Sequence, residues 1–204
     1  MDPSWTHPFT AIVAGPSGAG KSQFAIKFID HLEYMVKPKI EKVIWCFGVH
    51  QEVFDSYPHI NFQEGLPDLN IFDGKDKTLL ILDDLMTECD NRVTQIFTKI
   101  SHHRNVSVLY LTQNLFYQSK HTRTISLNAH YLVLFKNVRD ATQIANLARQ
   151  MYPKKSNYLM EAYQDSTMAP FGYLLVDLKP DTDERFRLRT NIFPGETHYV
   201  YVKK

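Results

Sequence analysis

The sequence predicts an α/β fold in which a central, mostly parallel sheet is covered by helices on both faces. Short apolar segments of strand length alternate with amphipathic segments of helical length, which is the pattern of parallel strands joined by crossover helices. A glycine-rich turn joins the first predicted strand to the first helix, and two acidic residues directly follow a later apolar strand. The ligand of such a sheet binds beyond the carboxyl ends of its strands, where both features lie.

Composition limits the classes of protein to consider. The 204 residues, 44% of them hydrophobic, are enough for one domain over 1–204, with a core of about 9–194 and a tail of 195–204. The net charge of +1 means that any nucleic-acid contact needs a local basic patch. Cys46 and Cys89 make no disulfide framework, and there is no signal peptide or apolar run of membrane-spanning length. We therefore expect an intracellular protein that is neither secreted nor membrane-bound.

The glycine-rich turn matches the phosphate-binding pattern G-x-x-x-x-G-K-[ST] at every fixed position. An apolar strand, 9–14, precedes it, and a helical stripe that includes Phe24 and Phe28 follows. Its backbone N–H groups and the helix N-terminus would hold phosphates, with Lys21 at the β- and γ-phosphates and Ser22 on Mg²⁺. The eight nucleotide-binding residues are Gly15, Pro16, Ser17, Gly18, Ala19, Gly20, Lys21 and Ser22. Nucleotide binding is therefore the main prediction.

The acidic pair ends the apolar strand predicted over 78–84. In ATPases with this phosphate-binding loop, an acidic residue at such a strand end holds Mg²⁺, and we assign that role to Asp83. The next side chain points elsewhere, so Asp84 is the candidate to orient or deprotonate the attacking water. The alternative is that the two carboxylates only end a strand or cap the next helix.

The next strand, predicted over 106–111, has a candidate residue at each end. Gln113 follows it and could contact both the γ-phosphate and the water. Arg104 precedes it and could reach a neighbouring subunit's site as an arginine finger. The alternatives are an ordinary turn amide and a solvated arginine.

The remaining elements complete the alternation. Apolar runs predict strands, and a 3.6-residue period or a polar composition predicts helices or loops. The strands are expected over 42–47, 131–135, 172–177 and 185–189, the helices over 50–57, 93–100, 140–151 and 157–164, and a loop with one uncertain short helix over 61–77. Arg185, Arg187 and Arg189 alternate with apolar residues, as in a strand with one basic face.

Other conspicuous residues have less specific interpretations. Tyr117, Lys120, His121 and Arg123 combine aromatic and positive side chains, so they are candidates for gripping nucleic-acid phosphates, or they are a solvated connector. Trp5 either packs over a nucleotide base or belongs to the core. The adjacent His102 and His103 do not have the spacing of a zinc site.

Three blocks together resemble the FtsK–HerA branch of P-loop ATPases. More narrowly, the chain resembles the genome-packaging ATPases of large double-stranded DNA viruses, the poxvirus type, and their relatives in Polinton-like elements. The blocks are 15–22, 80–85 and 103–114, and the similarity extends from Phe9 to Pro194. The resemblance implies a P-loop NTPase of the RecA-like, additional-strand type.

The same resemblance implies a function and partners. It implies ATP and Mg²⁺ as cofactors, and a homo-oligomeric ring, a pentamer or hexamer, that pumps double-stranded DNA into a capsid. A capsid or portal-vertex protein is a further implied partner, and virion association a further implied location. Arg104 matches the branch's trans-acting arginine, and Gln113 its strand-end glutamine. Asp84 departs from the branch, which usually has Glu there, and Glu88 is a remote substitute.

Two other functions remain open at this stage. A small-molecule or nucleotide kinase would need an arginine-rich lid, for which 185–189 is the one candidate run. A nucleotide-dependent DNA-binding switch that does not hydrolyse ATP would be compatible with the shorter Asp84. The sequence lacks the base-reading motif of GTPases and the signature motif of ABC ATPases.

Overall fold

The computed structural model describes residues 3–85, 91–115 and 120–203, with the side chains of residues 120–122 left undescribed. Within these residues the chain forms a nine-stranded sheet and a small parallel pair. The strands of the sheet are β2 (Thr10–Ala14), β4 (Lys42–Phe47), β5 (Asn61–Glu64), β6 (Thr78–Asp83), β7 (Val106–Thr112), β8 (Tyr131–Phe135), β9 (Tyr173–Asp177), β10 (Leu188–Thr190) and β11 (Tyr199–Tyr201). The small pair is β1 (Trp5–Thr6) with β3 (Val36–Lys37).

The sheet is mixed, with a parallel core. Its strand order is β11-β10-β9-β8-β2-β7-β6-β4-β5. The strands from β5 to β8 are parallel, whereas β9, β10 and β11 add an antiparallel edge next to β8. One strand, β7, lies between the strand before the glycine-rich turn and the strand before the acidic pair. This is the additional strand that the family resemblance implies, and the α/β fold class is confirmed.

Helices lie on both faces because the buried strands alternate their side chains between two apolar clusters. On β7, Val108 and Tyr110 belong to one cluster, and Leu109 and Leu111 to the other. The helices are α1 (Lys21–Asp30), α2 (Leu32–Met35), α3 (Asn91–Gln95), α4 (Ser101–His103), α5 (Lys120–Leu127), α6 (Ala141–Met151) and α7 (Ser156–Ser166), with a π-helical segment at Ile96–Ile100 and 3₁₀ helices at Glu52–Ser56, Leu69–Ile71 and Glu184–Phe186. No helix among the residues described is long and apolar enough to span a membrane.

The arginine run differs most from its prediction. Arg185 lies in a 3₁₀ helix, and only Arg189 lies in a strand. Arg189 is buried and donates to Asp177 at 3.0 Å, while Arg187 donates to Glu184 at 2.6 Å. The expected basic strand face is therefore wrong, because each of these arginines forms an ion pair with a nearby carboxylate. Arg185 also pairs with Asp183, so all three arginines proposed for a kinase lid are ion-paired.

The structure confirms one of the two alternatives for Trp5 and corrects the expected tail. Trp5 is fully buried and stacks on Tyr131 with ring centroids 4.1 Å apart, at the amino end of β8, so it belongs to the core. Within the expected tail, β11 pairs with β10, and the Tyr201 hydroxyl donates to Asp165 at 2.6 Å. The sheet therefore continues into residues 199–201.

Candidate active site

The glycine-rich turn leads directly from β2 into α1. Gly18 and Gly20 have φ of 76° and 105°, a backbone region that favours glycine. Gly20 caps α1, whose first residue is Lys21, so the free N–H groups of the helix face the turn. A Cβ on Gly20 would lie 3.1 Å from the Phe171 ring, and one on Gly15 would lie 2.7 Å from Phe135. The turn is thus a close-packed cradle of backbone donors that suits a phosphate.

Lys21 lies over this cradle. Its Nζ donates to the carbonyl oxygens of Gly15 at 2.8 Å and Pro16 at 3.1 Å. Partial burial lowers the pKa of Lys21, while the charges of Asp84 and Asp83 act in the opposite direction. The ammonium is therefore held by weak neutral acceptors, and a bound phosphate would be a stronger partner.

Asp83 is the most buried acidic group of the site. It is 4% exposed, and its Oδ2 accepts hydrogen bonds from Ser22 Oγ and from Gln51 Nε2, each at 3.2 Å. Burial raises the pKa of Asp83, and the Ser22 hydrogen bond only partly offsets this. The carboxylate is therefore costly to the fold, which is common for groups kept for function.

The donor set fits Mg²⁺. A hydroxyl and a carboxylate, Ser22 and Asp83, lie within one hydrogen bond of each other beside the phosphate cradle, and Mg²⁺ is usually bound by one or two such oxygens plus substrate phosphates. Ser22 and Asp83 are therefore the residues that would hold the ion, which would neutralise charge on the phosphates.

The burial of Asp83 leads to a prediction about stability. Because the raised pKa favours the neutral acid, the ionised carboxylate destabilises the fold at neutral pH, and this cost disappears as the pH falls below that pKa. We expect Asp83→Asn to raise the melting temperature by a few degrees, about 2–4 °C for each ~1 kcal/mol, and to abolish Mg²⁺-dependent hydrolysis. Thermal unfolding at neutral and acidic pH tests this, since the gain should shrink in acid. A lower melting temperature than the parent's at neutral pH would contradict it.

Asp84 and Gln113 meet at the carboxyl ends of β6 and β7. Gln113 Nε2 lies 3.3 and 3.4 Å from the two carboxylate oxygens of Asp84. The Asp84 side chain is exposed, and its backbone has φ of 52°, which is uncommon for a residue with a side chain. Gly48 leaves room for this backbone, because a Cβ there would lie 3.1 Å from the Asp84 carbonyl oxygen. The strained turn directs the two acidic side chains differently, as the sequence predicts for adjacent residues.

Arg104 lies beyond the opposite, amino ends of the parallel strands. It precedes β7, whereas Gln113 follows it, and six residue steps of about 3.3 Å put about 20 Å between the ends of that strand. Arg104 donates to the carbonyl oxygen of Phe72 at 2.8 Å. An arginine side chain is far too short to cover that distance, so Arg104 does not reach the phosphate cradle of its own subunit.

A cavity of about 780 Å³ opens beside the cradle. It is lined by Gly20 and Gln23 of the turn and α1, and by Phe171 and Phe193 from the other side. The Phe171 side chain is 69% exposed, and its backbone has φ of 60°, which is uncommon for a residue with a side chain. Backbone strain of this kind clusters at active sites and ligand-binding sites, so Phe171 is a candidate ligand contact. The volume suits a ligand of nucleoside size.

Several residues with predicted functional roles do not contribute to the site described above. Tyr117 and Glu88 lie outside the described residues. Lys120 and His121 belong to α5, but their side chains are not described, and Arg123 is exposed on the same helix. Residues 120–127 therefore form a helix within the connection from β7 to β8.

Sequence reasoning also missed two residues. Gln51 lies on Asp83, and Phe171 borders the cradle, each brought there by the fold from outside the motifs. The sequence carried a weak signal only for Gln51, which follows the end of the strand predicted over 42–47.

Solved structures with the same fold were found, although no family model and no curated protein matches the chain. One is the genome packaging NTPase B204 from Sulfolobus turreted icosahedral virus 2 in complex with sulfate, with a TM-score of 0.58 and 13% identity over 100% of this chain and 98% of that chain. The same protein in complex with ATP-gammaS gives 0.53 and 12% over 99% and 98%.

A third match extends the comparison to bacteria. The cytoplasmic domain of the Thermomonospora curvata type VII secretion ATPase EccC gives a TM-score of 0.52 and 11% identity, covering 94% of this chain and 25% of that one. At these identities the likeness concerns the fold. The chain therefore has the P-loop fold that the viral packaging NTPase B204 and the secretion ATPase EccC share.

Proposed function

We propose that the protein is an ATP-hydrolysing motor that translocates double-stranded DNA, most specifically to package a viral or virus-like genome into a capsid. The separation between the phosphate cradle and Arg104 carries this proposal. Each subunit has a cradle at the carboxyl ends of its parallel strands and Arg104 near their amino ends, about 20 Å away along β7. Such a chain completes its site when a second copy supplies the arginine, as in a ring.

Within that site the residues have separate tasks. The cradle and Lys21 bind the phosphates, while the base occupies the cavity beside Phe171. Ser22 and Asp83 would hold Mg²⁺, which would neutralise the phosphate charge. Asp84 orients and deprotonates the attacking water, and Gln113 couples the presence of the γ-phosphate to the position of Asp84.

The partners belong to the same proposal. The packaging NTPase that shares the fold supports a role in packaging, and we propose a pentamer or hexamer that acts on double-stranded DNA with a capsid or portal-vertex protein. The protein would act inside the host cell and associate with the virion. The exposed Arg123 of α5 is the described member of the candidate DNA-gripping group.

The alternatives receive less support. A kinase depended on the run Arg185 to Arg189, and these arginines are ion-paired. A switch without hydrolysis depended on a displaced Asp84 carboxylate, and this group lies beside Gln113 at the strand end.

The proposal is tested by measuring ATP hydrolysis with and without long double-stranded DNA. We expect hydrolysis that long duplexes stimulate and that Lys21→Ala abolishes, because this change removes the ammonium from the cradle. Short duplexes of equal total mass are the control for charge alone. Hydrolysis that DNA does not change would contradict a translocase, and phosphate transfer to a small acceptor would indicate a kinase.

A further inference from the structure

We propose that Gln51 is a positioning residue that fixes the carboxylate of Asp83 for metal binding. The inference rests on the proposed function, because it concerns the Mg²⁺ site of that ATPase. Gln51 lies outside the phosphate-binding loop, the acidic pair and the strand-end glutamine. Its side-chain amide donates to Asp83 Oδ2 at 3.2 Å, the same oxygen that Ser22 contacts.

The fold brings Gln51 to Asp83 by strand pairing. β4 lies beside β6, and Phe47, its last residue, pairs with Asp83. The N–H of Gly48 then donates to the carbonyl oxygen of Asp83 at 3.2 Å, which continues the pairing one residue past the strand. The chain between β4 and the following 3₁₀ helix is therefore attached to the backbone of the acidic residue.

The chain that follows Gln51 is also held in place. Gln51 precedes the 3₁₀ helix Glu52–Ser56, and its carbonyl oxygen accepts from the N–H of Phe54 at 2.9 Å. Phe54 is buried, and its ring lies 5.3 Å from both Trp45 and Phe47. The backbone of Gln51 is thus held by packing, so that its amide has a defined position before any ligand binds.

A second donor matters because Asp83 is almost completely buried. A buried carboxylate with too few donors is costly and adopts more than one orientation. Gln51 gives Asp83 Oδ2 a second side-chain donor beside the Ser22 hydroxyl, and its amide holds that oxygen independently of the Ser22 side chain. Loss of a partner that orients a metal ligand typically weakens metal affinity by about 10–100-fold.

The test compares nucleotide binding with and without metal. Gln51→Met keeps the length of the side chain and removes its donor, and Gln51→Ala is a second variant in case methionine disturbs packing. A fluorescent ATP analogue is titrated in EDTA and then at increasing Mg²⁺, with Glu52→Gln as the control on the same segment, since Glu52 is exposed. We expect unchanged affinity in EDTA and a Mg²⁺ half-saturation concentration raised by about 10–100-fold in both Gln51 variants.

Each result has a distinct meaning. Mg²⁺ titrations that match the parent's would overturn the role of Gln51 while leaving the ATPase proposal intact. Equal losses in EDTA and in Mg²⁺ would show that Gln51 only supports the segment, which also overturns it. A parent protein that binds no nucleotide at all would overturn the proposed function, and the role of Gln51 with it.

Discussion

Arg104→Ala is expected to lower the rate of ATP hydrolysis per subunit by about 10³–10⁵-fold while leaving ATP binding intact. The arginine lies at the amino end of β7, about 20 Å along that strand from the site of its own subunit, and under the proposed function it acts on a neighbour's γ-phosphate. Initial hydrolysis rates and the affinity for a fluorescent ATP analogue measure the two effects separately. Arg149→Ala is the control, because Arg149 is exposed on α6.

Mixing two inactive variants tests whether the site is shared. A ring that contains Arg104→Ala and Lys21→Ala subunits has some interfaces with an intact cradle facing an intact arginine. We therefore expect the mixture to regain part of the activity that each variant lacks alone. Variants that co-assemble but regain no activity at any ratio would show that the arginine and the cradle do not form one site.

Asp84→Asn is expected to lower turnover by about 10²–10⁴-fold without weakening ATP binding, because an amide does not accept the proton of the attacking water. The substitution suits the fold, since asparagine tolerates the positive φ that Asp84 adopts. It also keeps the side-chain oxygen that Gln113 contacts. Single-turnover hydrolysis with ATP bound in advance measures the chemical step directly.

Asp55→Asn is the matched control for this change, because Asp55 is exposed in the 3₁₀ helix after β4. It should leave turnover unchanged. Asp84→Asn that hydrolyses ATP at the parent's rate would contradict the assignment of Asp84 as the base and would leave the activation of the water to another group.

The sequence predicted the cradle and the acidic strand well because both are local. A run of eight residues contains all the glycines and donors of the loop, and a run of apolar residues places Asp83 at a strand end. Once parallel strands are inferred, their carboxyl ends share one edge of the sheet, and this brings Asp84 and Gln113 together. Their contact at 3.3 Å agrees with this reasoning.

Interactions between distant residues were not predictable. Asp177 accepts from Arg189, twelve residues later, and this pairing reverses the interpretation of the basic run. Strand pairing brings Gln51 to Asp83, and a turn brings Phe171 to the cradle, and neither residue belongs to a motif. The edge strands β5 and β11 were missed because edge positions are partly solvated and carry little apolar alternation.

The dependence of the hydrolysis rate on protein concentration tests the shared site most directly. ATP hydrolysis per subunit is measured over a wide range of protein concentration, with and without long double-stranded DNA. Under the proposed function a lone subunit lacks the arginine of its site, so the rate per subunit should rise with concentration and rise further with DNA. A rate that is constant in both would contradict the account and indicate an enzyme whose site is complete in one chain.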